Sequence, residues 1–478
     1  MSLSLIPTAA PPRPAGPNPG SLAAQLGEAL ARRGVPYCQW KGHGKRERWE
    51  SGRGDIDLLV ERAAWPAFSN VLGGLGFKPI AAPAGREAAG VAHFFGLDER
   101  SGQLIHVHAY SRLMIGLPWR THYRLPLEDA LIDSAVQHDG AVFKTPAPEL
   151  EAIVLVLRLT LRHSAADLLR RAPPRWLYGP MPELDRVEDR TMMVAIARHL
   201  PELSLDVFDR CRHALRPSCP APRRLAARAA LTGCLEAHAA RPPVFAAGER
   251  VLRKIGLGGP GQRLAGGGAV IALLGGDGAG KSTCAHALRA WLEPRLATVH
   301  VHLGRPPRGL TTLLAGGLLK TASLAGASPS LIAHLQLLRS LGTARDRYRL
   351  YRRARRFATS GGLAICERYP TRENWPLAGP SDAQGYALGA QSALAQRLRR
   401  WEHGYYERMT RPDLVVLLRL DPETAVSRKP SEPAAYVRAR ARVTLDTDWS
   451  RSGARIIDAA QPLADVLATL KTQLWRTL

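Results

Sequence analysis

Between residues 269 and 458 five short apolar runs, AVIALLG, TVHVHLG, GLAICE, DLVVLLRL and ARIIDA, are separated by longer stretches whose apolar residues recur every three or four positions. Runs of that length bounded by turn residues read as strands buried on both faces, and the three-to-four spacing reads as helix. The expected helices start at Lys281, run from about Ser330 to Phe357, from about Leu388 to Met409 and from Pro433 to Leu445, and begin again at Pro462. Strand and helix in alternation imply right-handed crossovers and a parallel sheet with helices on both faces.

The first half is patterned differently. SLAAQLGEALARRG, with a Ser cap and a terminal Gly, reads as a helix, and AAWPAFSNVLGGLG as another. GDIDLLVE, AHFFGLD and QLIHVHAY read as strands, the last two joined by the turn ERSG. These elements make a small α+β domain over residues 21–145. From PAPELEAIVLVL onward the pattern is helical and Arg-rich, broken by RAPPRW and RPSCPAPRR, so residues 146–255 are expected to form a helical connector packed on that domain. GLGGPGQRLAGGG, residues 256–268, reads as a linker, and residues 269–478 form the last domain. Residues 1–20 are Pro-rich without a charged start or a long apolar run, the pattern of a disordered leader rather than a signal peptide. No stretch reaches the roughly 18 uninterrupted apolar residues of a membrane span.

Charge narrows the partners. Lys and Arg outnumber Asp and Glu by 66 to 41, a net +25, so anionic partners are favoured, nucleic acid and phosphorylated small molecules alike. The six cysteines form no C-x-x-C pair, which argues against a zinc ribbon or a disulfide framework and makes the cytoplasm the expected setting.

The chemistry is most explicit at GGDGAGKST. Gly275, Gly280, Lys281 and Ser282 satisfy G-x-x-x-x-G-K-S/T between an apolar strand and an amphipathic helix, the context of a phosphate-binding loop. Small residues let backbone N–H groups approach phosphate oxygens, the helix N-terminus adds a favourable dipole, and Lys281 supplies a point charge. The nucleotide-binding set is Gly275, Gly276, Asp277, Gly278, Ala279, Gly280, Lys281, Ser282 and Thr283, with Ser282 placed to ligate Mg²⁺. ATP and Mg²⁺ are the expected cofactors.

The loop wording G-x-D-G-x-G-K-S-T resembles that of thymidylate kinases. The resemblance extends over residues 268–478: ICERYP looks like that family's D-R-Y element, RPDLVVLLRLDPETAVSRK like its fourth strand and the helix entering the lid, and RIIDAAQPLADVLATL like its last strand and helix. It implies a P-loop nucleoside monophosphate kinase fold and phosphoryl transfer from ATP to a nucleoside monophosphate, dTMP by default. It further implies that Glu367 holds Mg²⁺ through water or orients the acceptor, that Arg368 clamps the acceptor phosphate, and that Asp277 faces the acceptor sugar. In similar kinases an Arg follows that Asp or comes from the lid. Here Gly278 takes the loop position, so the lid sequence SRKPSEPAAYVRARAR offers Arg428, Lys429, Arg438, Arg440 and Arg442, with Arg428 first. The chain departs from the family in lacking S-x-x-A-Y-Q after ERY and in carrying HLGRPPRG where R-E-P-G is usual, which leaves Arg305 or Arg308 for phosphate work.

Two further features carry chemistry. RDRYRLYRRARR puts Arg345, Arg349, Arg352 and Arg356 on one helix face with Tyr348 and Tyr351 interleaved, either a grip for a polyanion or single-stranded nucleic acid or a solvated basic face. GRGDIDLLV places Asp55 and Asp57 on one strand face, a pairing that suits two-metal nucleotidyl transfer. Residues 22–165 resemble uncharacterised polymerase-beta-type nucleotidyltransferases through WKG at Trp40 to Gly42, GDIDLLV and LIHVHAYSRL. That resemblance implies metal binding at Asp55 and Asp57, yet His106 and His108 stand where an Asp and a His are usual. Nucleotidyl transfer with the P-loop domain as a regulatory ATP switch, and a non-catalytic, nucleotide-gated binder of nucleic acid or protein, stay open beside the kinase reading, as does a homodimer.

Overall fold

The computed structural model describes residues 20–42, 46–81, 90–116, 122–162, 187–216, 218–240, 261–382 and 392–478. The expected leader lies outside these residues except for Gly20, as do residues 163–186 and 241–255 of the expected connector. The chain divides into two compact units, Met1–Phe77 with Ala84–Glu249, and Lys78–Pro83 with Arg250–Leu478.

The first unit starts with α1 (Leu22–Arg32), β1 (Tyr37–Lys41), α2 (Arg46–Glu50), β2 (Asp55–Val60) and α3 (Trp65–Gly74); β3 (Lys78–Ala81) belongs to the second unit. It continues through β4 (Val91–Asp98) and β5 (Gln103–Tyr110). The strands lie in the order β1-β2-β5-β4, with β2 and β5 parallel and the outer pairs antiparallel. Ser21 caps α1 by accepting from the Ala24 N–H at 3.2 Å. Alternation along β2 then decides the packing: Ile56 and Leu58 join Leu26, Leu30, Phe68 and Leu72 of the helices in one core, while Asp55 and Asp57 point to the other face.

After β6 (Met114–Gly116) and β7 (His122–Arg124) come α4 (Glu128–Asp133), α5 (Pro148–Arg162), α6 (Asp189–His199), α7 (Leu205–Ala214), α8 (Ala221–Cys234) and β8 (Ala239–Ala240). Strands β6, β7 and β8 form a small sheet. The helices share a second core with Trp40, Leu59 and Tyr110 of the main sheet, so the helical stretch has no separate core of its own.

In the second unit β9 (Arg263–Leu264) pairs antiparallel with β3 through Ile80 and Leu264. At Gly268 a Cβ would stand 1.8 Å from the Gly362 carbonyl oxygen, so backbone packs directly on backbone. Within the expected linker, Leu264 is buried in the pairing with β3 and Gly268 packs on the Gly362 backbone, while Gly261, Ala265 and Gly266 are exposed and residues 256–260 lie outside the described residues.

The alternation continues through β10 (Ala269–Leu274), α9 (Lys281–Leu292), β11 (Thr298–His302), α10 (Leu310–Leu324), α11 (Pro329–Thr359), β12 (Leu363–Glu367), α12 (Trp375–Ala378), α13 (Ala393–Glu407), β13 (Leu414–Arg419), α14 (Pro422–Ser427), α15 (Ala434–Asp446), β14 (Arg455–Asp458) and α16 (Leu463–Thr477). The five strands fall on the five apolar runs and pair in parallel in the order β11-β12-β10-β13-β14. Every residue of β10 is buried, as its unbroken apolar run requires. The strand order reverses at β10, between β12 and β13, and a crevice beyond the carboxyl ends of the strands opens at such a point.

Helix α10 had no counterpart among the expected elements. Leu310, Leu313, Leu314 and Leu318 are exposed and only Thr312 and Ala315 are buried, so its leucine spacing does not mark a core face. Among the described residues no helix is long and apolar enough to cross a membrane.

Candidate functional site

The segment from Gly275 to Gly280 turns the end of β10 into the start of α9. Gly275, Gly278 and Gly280 all have positive φ, a conformation that costs residues with a Cβ. At Gly278, with φ +82°, a Cβ would also meet the Ala425 carbonyl oxygen at 2.8 Å. The loop position that can carry an Arg in similar kinases is thus closed to one here. The N-terminus of α9 faces a cleft of about 510 Å³, lined by the loop and by His302, Glu367, Arg368 and Arg428.

Lys281 is 6% exposed and donates to the Gly276 carbonyl at 2.5 Å. Burial, and then the charge of Arg368, pull its pKa down to about 8.

Glu367 ends β12 and is 1% exposed. Its carboxylate accepts from the Ser282 hydroxyl at 2.6 Å and from His300 Nε2 at 2.7 Å. Burial alone would raise its pKa, but these hydrogen bonds and the neighbouring histidines outweigh burial and bring it to about 2. An ionised carboxylate beside a hydroxyl at the head of the loop fits Mg²⁺, a hard cation that needs one or two carboxylates when phosphates and water complete its shell.

Arg368 follows immediately and has φ +53°, the only positive φ at a non-glycine residue among the described residues. That conformation costs about 1–2 kcal/mol, and such strain persists where the surroundings hold it. Its guanidinium pairs with Asp277. A Cβ at Gly304 would stand 2.5 Å from Arg368 Cδ, so the glycine clears the path of this side chain. Asp277 also meets Arg440 Nε at 2.7 Å. Burial would raise the Asp277 pKa, but Arg368, Arg440 and Lys281 hold it below the usual carboxylate range.

A second cleft of about 400 Å³ shares Asp277, Arg305, Arg368 and Glu432 with the first and adds Arg347, Tyr436 and Arg440. Of the residues singled out in the sequence, the loop from Asp277 to Thr283 and Glu367, Arg368, Arg428 and Lys429 line the first cleft. Arg428 also donates to the Ala459 carbonyl at 3.0 Å. Arg305 lines both clefts, whereas Arg308 lines neither.

The arginine stripe of α11 turns out otherwise. Arg349, Arg352 and Arg356 are exposed, and none of them, nor Arg345, lines either cleft. The residue that does is Arg347, which the stripe concealed. The signal lay in its spacing, since Ala344, Arg347, Tyr351, Ala354 and Ala358 recur every three or four residues along the buried face. His300, which meets Glu367, and His302, which lines the first cleft, belong to the site as well, and TVHVHLG sets both on one face of β11.

In the first unit Asp55 and Asp57 share a face of β2, opposite His106 and His108 of β5. Lys41 Nζ lies 3.0 Å from the Asp57 carboxylate, His108 Nδ1 lies 3.3 Å from it, and the Tyr110 hydroxyl donates to it at 3.2 Å. Burial would raise the Asp57 pKa, but Lys41 and His108 hold it low. Asp55 meets His106 Nδ1 at 2.7 Å, and His106 Nε2 meets His93 at 3.0 Å. The Lys41 ammonium thus stands at Asp57, where the resemblance puts a metal, and among the described residues no group of three or more His, Cys, Asp or Glu is arranged to hold one.

No protein-family profile matches the chain. Two Escherichia coli proteins, from strain K12 and from strain O6:H1, each described as an uncharacterized ATP-binding protein YghR, are 31% identical to it over 221 residues, which cover 41% of this chain and 83% of theirs. A solved thymidylate kinase structure from Candida albicans is similar over 44% of this chain and 90% of its own, at 20% identity and a TM-score of 0.29. A likeness at that score carries no weight for fold or substrate. The parallel five-stranded sheet, with the phosphate-binding loop at the end of its central strand, makes the second unit P-loop kinase-like.

Proposed function

The chain belongs to the family of the Escherichia coli ATP-binding protein YghR, and on that premise we propose that it is an ATP-dependent phosphotransferase. Its first cleft holds MgATP and the adjoining cleft holds a phosphorylated acceptor. The observation that carries this reading is the junction of the two clefts, where Asp277, Arg305 and Arg368 belong to both. Donor and acceptor would meet there. A nucleoside monophosphate, dTMP first, is the acceptor that the sequence resemblance implies.

The residues divide the work as phosphoryl transfer demands, by positioning and positive charge. Lys281 and the N-terminus of α9 hold the β and γ phosphates. Ser282 and Glu367 would hold Mg²⁺, which would supply positive charge against the triphosphate. Arg368 and Arg428 flank the transferring group, and the Asp277 carboxylate keeps the Arg368 fork aimed at it. A bond forms from the acceptor oxygen to the γ phosphorus while the bond from that phosphorus to the ADP oxygen breaks. A phosphate dianion brings no proton to remove, so the site needs no general base at that step.

The first unit enters this reading without chemistry of its own, because Lys41 neutralises Asp57 where a second metal-bound triphosphate would need the carboxylate free. The reading is tested by ADP release. ADP should appear from wild type only when an anionic acceptor is present, and Arg428→Ala should slow it strongly. ADP formation that ignores every acceptor would replace the phosphotransferase with an ATPase.

A further inference from the structure

Arg347 is 5% exposed, yet it has no carboxylate partner among the described residues. Its Nε donates to the Leu303 carbonyl at 2.7 Å, and its Nη1 donates to the Ala378 carbonyl at 2.6 Å and to the Tyr406 hydroxyl at 2.5 Å. The guanidinium also lies 5.3 Å from the Tyr406 ring centroid. All of these partners are neutral. The adjacent Asp346 is turned away, accepting from the Gly309 N–H at 2.7 Å and the Thr312 hydroxyl at 2.6 Å. A buried cation without a counter-charge is unfavourable, and these three hydrogen bonds occupy Nε and Nη1, leaving Nη2 as the donor that can meet a group supplying that charge.

Arg347 lines the second cleft and not the first. The same cleft contains Arg305, Arg368 and Arg440, against the carboxylates Asp277 and Glu432. Asp277 is taken by Arg368 and Arg440, and Glu432 pairs with Lys429 at 3.2 Å. Arg305 and Arg347 remain without a carboxylate among the described residues. Arg305 stands at the junction of the clefts and Arg347 beyond it, so two cationic positions face two parts of one acceptor. Tyr436 is the aromatic lining residue and is 52% exposed, a poor platform for a neutral base.

We propose that the acceptor carries a second anionic group, remote from the one that is phosphorylated, and that Arg347 receives it. The class is a small phosphate ester with a second phosphate or a carboxylate, of a size that about 400 Å³ admits. This rests on the phosphotransferase reading for the role of the ligand, though not for its binding.

The test is calorimetric binding to the full chain with ADP and Mg²⁺ present, using dTMP, thymidine bisphosphate and phosphoglycerate as probes. At least one of the two probes that carry two anionic groups should bind roughly tenfold or more tighter than dTMP, the scale of one added charge-assisted contact. Arg347→Met should remove that margin and leave ADP affinity unchanged. Arg347→Lys, which keeps a charge in the same packing, should retain part of it and covers the case in which the Met variant does not fold. The two probes with two anionic groups tell phosphate from carboxylate as the second group. The inference is overturned if dTMP binds as tightly as both, if neither binds, or if Arg347→Lys weakens all three probes equally. A phosphotransferase failure reads differently, as Arg347-dependent binding with no phosphoryl transfer to any bound probe.

Discussion

Ser282 donates its hydroxyl proton to Glu367 at 2.6 Å, tying the first turn of α9 to the tip of β12 across 85 positions of sequence. Each residue alone is ordinary, but together they set a hydroxyl and an ionised carboxylate at the head of the phosphate-binding loop.

Glu367→Gln keeps the volume and removes the charge. ATP affinity measured with Mg²⁺ should fall at least tenfold, on the scale of the ~1.5–3 kcal/mol of a hydrogen bond to a charged group, while affinity in EDTA should hardly change. Calorimetry in the two buffers reads the difference, and equal losses in both would remove Glu367 from the metal site.

Arg368 holds a left-handed backbone that glycine adopts without strain. Arg368→Gly should therefore melt within about 1 kcal/mol of wild type, since relieved strain offsets the lost Asp277 pair, while turnover falls by two orders of magnitude or more. Thermal melts beside initial rates would show whether stability and activity separate in this way.

Restoring the loop arginine of similar kinases should not restore anything. Gly278→Arg combines a positive φ with a Cβ 2.8 Å from the Ala425 carbonyl, so a loss of about 1–3 kcal/mol and weaker ATP binding are expected. A stable, more active variant would show that the loop can rearrange.

The pKa of Lys281 gives a pH dependence with a definite sign. Below pH 8 the ammonium is charged and meets the phosphates directly. Above it the free protein has lost that proton, so binding must take one up and ATP affinity should fall, approaching tenfold per pH unit. Lys281→Arg, charged throughout, should flatten the slope between pH 7 and 9.

In the first unit Lys41→Met leaves the Asp57 carboxylate largely buried without its ammonium, for which a loss of about 3–5 kcal/mol is typical. Chemical denaturation reads this. A loss under 1 kcal/mol would mean that His108 and Tyr110 suffice, and that a metal could replace the lysine.

The central strands β12, β10 and β13 were legible because strands buried on both faces must be apolar throughout, whereas the edge strands β11 and β14 are partly exposed and not buried on both faces as expected; the loop was legible because its glycines are forced. Helix α10 was not, since its leucines face outward and their spacing reports no core. Arg347 was hidden by neighbours of its own kind: exposed arginines at helical spacing advertise a stripe, whereas the one on the apolar face shows only when Ala344, Tyr351 and Ala354 are read with it. The pairing of β3 with β9 joins segments far apart in sequence, one of them two residues long, and no periodicity announces such a contact. Asp55 and Asp57 share a face as alternation requires, but the lysine that neutralises one of them sits on another strand, and sequence spacing says nothing of that.

The most direct measurement follows the phosphoryl group itself. With ATP labelled at the γ-phosphate and a panel of acceptors bearing one or two anionic groups, wild type should move label to an acceptor, and Lys281→Ala should not. Wild type that binds ATP and yet transfers label to none of them would contradict the account.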